Sequence, residues 1–90
     1  MNAILWDGQR QIKGELEFHK ESIRFVMLDF SNTDLGFKIE YKNIQEVECC
    51  SVFKTKNKGV EIVTKEGKRN VFVLEDSKKA KLIIEKYVGF

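Results

Sequence analysis

The stretch IEYKNIQEVECCSVF, residues 39–53, carries the clearest fold signal of the sequence. With the preceding Phe37 and Lys38 it begins on a strict alternation of apolar and polar residues, the pattern of a β-strand with one buried face. The pair KN at 42–43 predicts a bend, because Asn and Lys interrupt the apolar positions there. Beyond the bend, one side carries Val47, Cys49, Ser51 and Phe53. The pattern therefore predicts two strands joined at a sharp corner.

The two adjacent cysteines of this stretch raise the question of a metal or redox site. Neighbouring residues on a strand point to opposite faces, so Cys49 and Cys50 are poorly placed to share a metal or to form a disulfide. A zinc site also needs further Cys or His at short spacing, and His19 is far away in the sequence. We therefore predict no metal and no cofactor, with Cys49 in the core beside Val47 and Cys50 on the opposite face.

Outward from this corner, short strands and turns fill the rest of the chain up to residue 75. GELEF, HKES and IRF predict a hairpin over residues 14–26, and the turn-rich SNTDLG predicts a loop over 31–36. A second hairpin is expected over residues 60–74. The opening ILWDGQRQI contains the hairpin signal Asp-Gly, and it is compatible with a strand or a short helix.

The last part of the sequence changes to a helical period. Asp76 or Ser77 is a suitable N-cap, and Gly89 is a suitable stop. One apolar stripe at helical spacing is formed by Ala80, Ile83, Ile84, Tyr87 and Val88. The chain is thus expected to be one domain over residues 1–90, with residues 1–11 as an N-terminal extension and residues 76–88 as a helix that caps the sheet.

Composition limits the function more than it defines it. The 90 residues are 42% hydrophobic and 33% charged, as expected for a single soluble globular domain. The beginning has no basic leader, which predicts a cytoplasmic protein. The net charge of +2 is small, although residues 54–69 hold six basic and two acidic residues. This weak imbalance argues against nucleic-acid binding, and no nucleophile–base pair or phosphate-binding loop indicates an enzyme or a small-molecule substrate.

Several segments together resemble a GRAM domain or a bacterial PH-like domain. They are GELEFHKESIRF, FKIEYKNIQEVE and GVEIVTKEGKRNVFVL, followed by the terminal helix. The positions that carry the resemblance are Gly14, Phe25, Ile39, Tyr41, Ile44, Val47, Ile62, Thr64, Gly67 and Phe72. The resemblance implies a bent antiparallel β-barrel of six to seven strands capped by a C-terminal helix. It also implies a non-catalytic module that binds headgroups, membrane surfaces, peptides or partner domains.

Basic residues and one tryptophan are the candidate contacts of such a module. Lipid-binding members of the family carry a basic signature in the first hairpin loop, where this chain has Lys20 and Arg24 separated by Glu21, a departure from that pattern. A second basic loop contains Lys54, Lys56 and Lys58. Trp6 fits a core position, which we favour, or an anchor for a protein partner. The sequence thus predicts a protein-binding or self-associating module, with a weak binder of anionic lipid or phosphoinositide as the alternative.

Overall fold

The computed structural model describes residues 1–7, 10–27, 36–50 and 59–89. Within them, seven strands and one helix follow each other along the chain. They are β1 (Asn2–Asp7), β2 (Arg10–Phe18), β3 (Ser22–Met27), β4 (Gly36–Glu40), β5 (Ile44–Cys50), β6 (Gly59–Thr64), β7 (Arg69–Val73) and α1 (Ser77–Val88). The strands form one antiparallel sheet in the order β4-β3-β2-β1-β7-β6-β5, which is not closed. This confirms the predicted fold class: the arrangement is consistent with a PH-like barrel capped by a helix.

The two end strands of the sheet, β4 and β5, are neighbours in the sequence. A single 3-10 turn, Tyr41–Asn43, joins them. Because so short a connection links the first and last strands of the order, the sheet has to curl until its two ends meet at this corner. The KN bend of the sequence lies in this turn, so the predicted corner is confirmed.

A β-bulge explains the spacing of buried residues in β5. Ile44 and Val47 are both buried although they are three residues apart, which a regular strand would not allow. The pairing of β5 with β6 shifts by one residue between Ile44 and Glu46, which leaves Gln45 and Glu46 exposed. The bulge bends the strand where it leaves the corner.

The core lies on the inner face of the curled sheet. Three rings form its centre: Phe25 lies 5.8 Å from Phe37 and 5.5 Å from Phe72, between ring centroids. Gly14 lets β2 approach this cluster, since a Cβ there would come within 2.4 Å of the Phe25 ring. A side chain at position 14 would thus collide with the centre of the core.

The predicted helix is confirmed at both ends. The carboxylate of Asp76 accepts a hydrogen bond from the backbone N–H of Lys79 at 3.3 Å, and Gly89 ends the helix with a φ of 90°. Ala80 and Ile84 are buried, and the helix packs on β5, β6 and the 3-10 turn. No helix in the described ranges is both long and apolar enough to cross a bilayer.

The beginning of the chain is a central strand. Residues 2–7, which belong to the predicted N-terminal extension, form β1 between β2 and β7. β1 pairs antiparallel with β2 up to Asp7 and Arg10, so of the two alternatives for the opening segment the strand is confirmed. The hairpin over residues 14–26 is therefore the second hairpin of the sheet, and the prediction that Lys20 lies in the first hairpin loop is wrong. The predicted loops at 31–36 and 54–58 lie outside the described residues, apart from Gly36.

Candidate functional site

A cleft of about 590 Å³ opens at the corner where β4 ends. One wall is β4 itself, the end is the 3-10 turn, and the facing wall is the turn between β6 and β7. The sheet topology creates this opening, because β4 pairs with β3 on one side and with no strand of the described chain on the other. The cleft therefore exposes an edge of the sheet.

The direction of the β4 backbone groups follows from its pairing with β3. The N–H of Tyr41 donates to the carbonyl oxygen of Glu21 at 3.0 Å, in the register that pairs Ile39 with Ile23. Bonded and non-bonded pairs alternate along an antiparallel ladder, so Tyr41 and Ile39 bond to β3 whereas Lys38 and Glu40 do not. The N–H and C=O groups of Lys38 and the N–H of Glu40 consequently point away from β3, towards the open side. The C=O of Glu40, the N-cap of the 3-10 turn, accepts the first hydrogen bond of that turn.

The floor of the cleft is apolar. The inner-facing side chains of β4 are Phe37 and Ile39, and both line the cleft. The Phe37 ring stacks on Phe72 with centroids 6.3 Å apart, which fixes it against the core. The Lys68 ammonium lies 5.8 Å from the Phe37 centroid and so places a cation over the same ring.

The facing wall is held in place by a set of hydrogen bonds. Thr64 is buried, and its Oγ1 accepts a hydrogen bond from the N–H of Lys68 at 3.2 Å. Gly67 has a φ of 87°, which a turn this tight requires. The N–H of Lys65 donates to the carbonyl oxygen of Asn43 at 2.9 Å and ties the turn to the corner. The wall is thus fixed relative to β4 through the 3-10 turn.

The cleft carries an excess of positive charge. Its lining includes four lysines against two glutamates, a balance of +2: Lys38, Lys42, Lys65 and Lys68, with Glu40 and Glu66. Lys42 forms an ion pair with Glu40 at 3.3 Å. No carboxylate of the described chain lies within ion-pair distance of Lys38, Lys65 or Lys68. These three lysines can therefore interact with an anionic ligand.

A smaller cleft of about 300 Å³ lies on the other side of the corner. Lys20 and Lys42 line it together with Glu21 and Glu40, so its formal charge is balanced. Its other wall is the Tyr41 ring, which stacks on Tyr87 at 4.7 Å. Of the two predicted lipid contacts in the described chain, Lys20 lines this cleft and Arg24 does not.

The other predicted contacts lie apart from the two clefts. Arg24 lies on β3, opposite Glu17 on one neighbouring strand and Lys38 on the other. Its position in the middle of a strand separates it from Lys20, which lies in the turn. The second basic loop, with Lys54, Lys56 and Lys58, lies outside the described residues.

The Tyr41 hydroxyl is buried without a hydrogen-bond partner in the described chain. Burial, and then the nearby Tyr87, raise the pKa of Tyr41 to about 12. A group with so high a pKa stays protonated at neutral pH, so it can donate a hydrogen bond but cannot act as a base.

Trp6 lies outside the core. It is half-buried on β1, opposite Gln11 and Val71, on the face of the sheet away from the buried Leu5. The core position favoured for Trp6 is therefore wrong. Its assignment as a partner contact stays a prediction.

The cysteines show no sign of a reactive site. Both are free and half-buried, opposite Val60 and Gly59 on β6, and Cys49 is outside the core cluster that the sequence predicted for it. Burial, followed by Glu61 and Cys49, raises the pKa of the Cys50 thiol, which makes it a poorer nucleophile. Among the described residues no group of three or more His, Cys, Asp and Glu could hold a metal.

Comparisons with known proteins bear on the fold. No family model and no curated protein matches the chain. The C-terminal domain of an unknown protein from Leishmania infantum is similar in structure, with a TM-score of 0.84 at 16% identity, over 99% of this chain and 80% of that chain. Inner Membrane Complex sub-compartment protein 3 from Toxoplasma gondii is similar with a TM-score of 0.74 at 12% identity, over 99% and 73%. The chain is thus a mainly β domain of this architecture, and its membership of the GRAM family stays a prediction.

The main cleft was not predicted from the sequence. The predicted basic contacts are dense in loops, whereas the cleft collects lysines from β4, the 3-10 turn and the β6–β7 turn. The sequence feature that could have indicated the cleft is the KN corner, because a strand that ends at a sharp bend is a candidate for the end strand of a sheet. Which edge stays open depends on pairing between distant segments.

Proposed function

We propose that this domain is a non-catalytic protein-interaction module that binds an extended segment of a partner protein along the free edge of β4. The observation that carries the proposal is the direction of the Lys38 N–H and C=O and of the Glu40 N–H, which point away from β3 on the side of the strand where the cleft lies. An extended peptide satisfies such groups by adding a strand to the sheet, a recurring mode of peptide recognition.

The strength of such binding can be bounded from its hydrogen bonds. Lys38 offers an N–H and a C=O group and Glu40 offers an N–H, and each bond contributes a net stabilisation of about 0.5–1.5 kcal/mol. Three bonds therefore give roughly 1.5–4.5 kcal/mol, from which the ordering of the segment is subtracted. The apolar floor at Phe37 adds side-chain contacts. We expect dissociation constants of about 10 μM or weaker, as suits a reversible contact.

The surroundings of β4 restrict what can add to its free edge. Natural proteins protect free edges by keeping them short and charged, and β4 has five residues and an exposed lysine. The facing wall at Lys65 and Lys68 adds a second restriction, because it leaves room beside β4 without exposing a flat surface. Such a slot admits one strand and resists stacking of whole sheets.

The test uses peptides selected on the purified domain from a random phage-displayed library. We expect the selected peptides to shift the backbone amide NMR signals of Lys38 and Glu40. Lys38→Pro removes the outward N–H and should weaken binding at least about 10-fold, which corresponds to about 1.4 kcal/mol. Lys38→Ala keeps that N–H and serves as the matched control for the lost side chain.

Two results would contradict the proposal. One is a selected peptide that binds Lys38→Pro as tightly as the unchanged domain. The other is a set of shifts confined to the outer face around Trp6. A concentration-dependent dimer in light scattering that Lys38→Pro abolishes would identify the added strand as part of a second copy.

The alternative function is weak binding to anionic lipid or phosphoinositide. Its support is the smaller cleft that Lys20 and Lys42 share. Glu21 and Glu40 line the same cleft and offset the lysine charges, so we rank this function second. Sedimentation with anionic vesicles, compared between the unchanged domain and Lys20→Gln, separates it from peptide binding.

A further inference from the structure

We infer that the segment bound beside β4 is acidic, with a carboxylate side chain opposite Lys38 and a non-acidic residue opposite Glu40. This inference rests on the proposed function and adds the chemistry of the partner. The two residues of β4 whose side chains face outward carry opposite charges, Lys38 a positive and Glu40 a negative one.

An added strand has a defined register relative to β4. The residue that bonds to the N–H and C=O of Lys38 lies directly opposite Lys38, and its side chain projects on the same face as the Lys38 side chain. Lys38 is exposed and has no ion-pair partner in the described chain, so a carboxylate at that position gains a favourable cross-strand pair. The residues on either side of it turn towards the apolar floor at Phe37 and Ile39.

The position opposite Glu40 has the reverse preference. A carboxylate there would face Glu40 directly, and like charges opposite each other on a sheet are unfavourable. Lys42 pairs with Glu40 at 3.3 Å and reduces this repulsion without reversing its sign. The segment therefore carries its acidic residue at one position and a neutral or basic residue two positions away.

The facing wall adds a second source of positive charge. Lys65 and Lys68 lie on the β6–β7 turn, and neither is paired with a carboxylate of the described chain. Glu66 lies between them in the sequence and lines the same cleft. The balance of the turn at the cleft is thus +1, which favours a segment with a net negative charge. The apolar floor and the alternation of a strand then predict apolar residues between the polar ones.

The experiment compares three capped heptapeptides with fluorescent labels. Each peptide alternates valine with polar residues. The first peptide has glutamate at the central position and serine at the other polar positions. The second has serine at every polar position, and the third has lysine at the centre and serine at the others. Binding is measured by fluorescence anisotropy at 50 mM and 300 mM salt. We expect the glutamate peptide to bind about 10-fold more tightly than the serine peptide, and the difference to shrink at high salt.

Charge variants locate the interaction. Lys65→Gln combined with Lys68→Gln should weaken binding of the glutamate peptide about 3- to 10-fold and leave the serine peptide unchanged. Glu66→Gln should strengthen binding of the glutamate peptide about 2-fold. Lys78→Gln combined with Lys79→Gln makes the same charge change on the exposed first turn of α1 and is the matched control.

The outcomes separate this inference from the proposed function. Equal binding of the serine and glutamate peptides, with loss in Lys38→Pro, would overturn the acidic preference and leave strand addition in place. Equal weakening by the turn and helix charge variants would show unspecific attraction and overturn the inference. Failure of all three peptides, together with sedimentation on phosphatidylserine vesicles that requires Lys65 and Lys68, would assign the lysines to a membrane surface and overturn it as well.

Discussion

The two end strands of the sheet differ in how their outer edges are treated. At one end, α1 packs on β5, and the ion pair between Lys81 and Glu48 at 3.6 Å lies across that contact. At the other end, β4 has no covering element in the described chain and borders the main cleft. One end strand is thus packed against a helix and the other is not in the described chain, although a single 3-10 turn joins the two strands.

The surfaces beside the two end strands differ in character. The helix needs an apolar surface, and Ile84 at 0% exposure is its deepest contact. The cleft beside β4 has an apolar floor at Phe37 and Ile39 and a polar wall at Thr64 and the lysines of the turn. The helix thus packs on β5, whereas β4 borders the main cleft and has no covering element in the described chain.

The strongest test of the open edge compares proline at two neighbouring positions of β4. Ile39→Pro removes an N–H that bonds to β3 and a buried side chain, so it should cost more than about 4 kcal/mol. For a chain of this size that cost is comparable with the whole stability. Lys38→Pro removes an outward N–H and should cost less than about 1 kcal/mol. Urea unfolding followed by circular dichroism measures both.

Similar losses for the two variants would break the comparison. They would mean that Lys38 also bonds within the domain and that β4 has no free edge. Ile39→Ala is the control that separates the loss of the side chain from the loss of the N–H, and it should account for about 2–4 kcal/mol.

The helix and the strands at the corner were predictable because apolar residues recur in them at a regular helical or strand spacing. The stripe at Ala80 and Ile84 and the cap at Asp76 define the helix from local residues alone. The alternation before and after the KN pair defines β4 and β5 in the same way. These features depend on contacts within a few residues, which a sequence displays directly.

The faces and edges of the sheet were less predictable. Residues 3–6 are all apolar, so alternation cannot say whether Leu5 or Trp6 turns inward, and the pairing of Leu5 with Ile12 and Phe72 decides it. The bulge at Ile44 and Glu46 and the open edge of β4 likewise depend on which distant strands pair. The cleft lysines meet only because the sheet curls, and no spacing in the sequence encodes that.

The covered edge is tested by removing the helix anchor. Ile84→Ala deletes a fully buried side chain between α1 and the sheet and should lower the free energy of unfolding by about 2–4 kcal/mol. A loosened helix also exposes the surface of β5 and β6 on which it packs, so we expect self-association at high concentration, measured by light scattering. Leu82→Ala, at a position 66% exposed on the same helix, should change stability by less than about 0.5 kcal/mol.

A result in which Ile84→Ala destabilises the domain yet leaves it monomeric would limit the role of the helix. The edge of β5 would then be protected by its own bulge and charges. The two end strands β4 and β5 would then differ only in the cleft that lies beside β4.

The smallest effect is expected at the corner that joins the two edges. Tyr41 is 5% exposed and stacks on Tyr87 of the helix, with its hydroxyl unpaired in the described chain. Tyr41→Phe removes that buried hydroxyl and keeps the ring. At neutral pH we expect a change between zero and about 1 kcal/mol in favour of the variant, because an unsatisfied buried donor is unfavourable.

The pH dependence of the same variant gives the sharper measurement. The folded-state pKa of Tyr41, about 12, lies above the ordinary value of 10.0, so the folded state retains the proton over this interval. The resulting stability is present below pH 10 and is lost as the pH rises towards 12. Urea unfolding from pH 9 to 12 should therefore show a steeper decline for the unchanged domain than for Tyr41→Phe. Tyr87→Phe, at a tyrosine that is 47% exposed, should follow the unchanged domain closely. Parallel declines for all three proteins would place the Tyr41 hydroxyl in contact with solvent and the corner in a looser arrangement than the stacked pair requires.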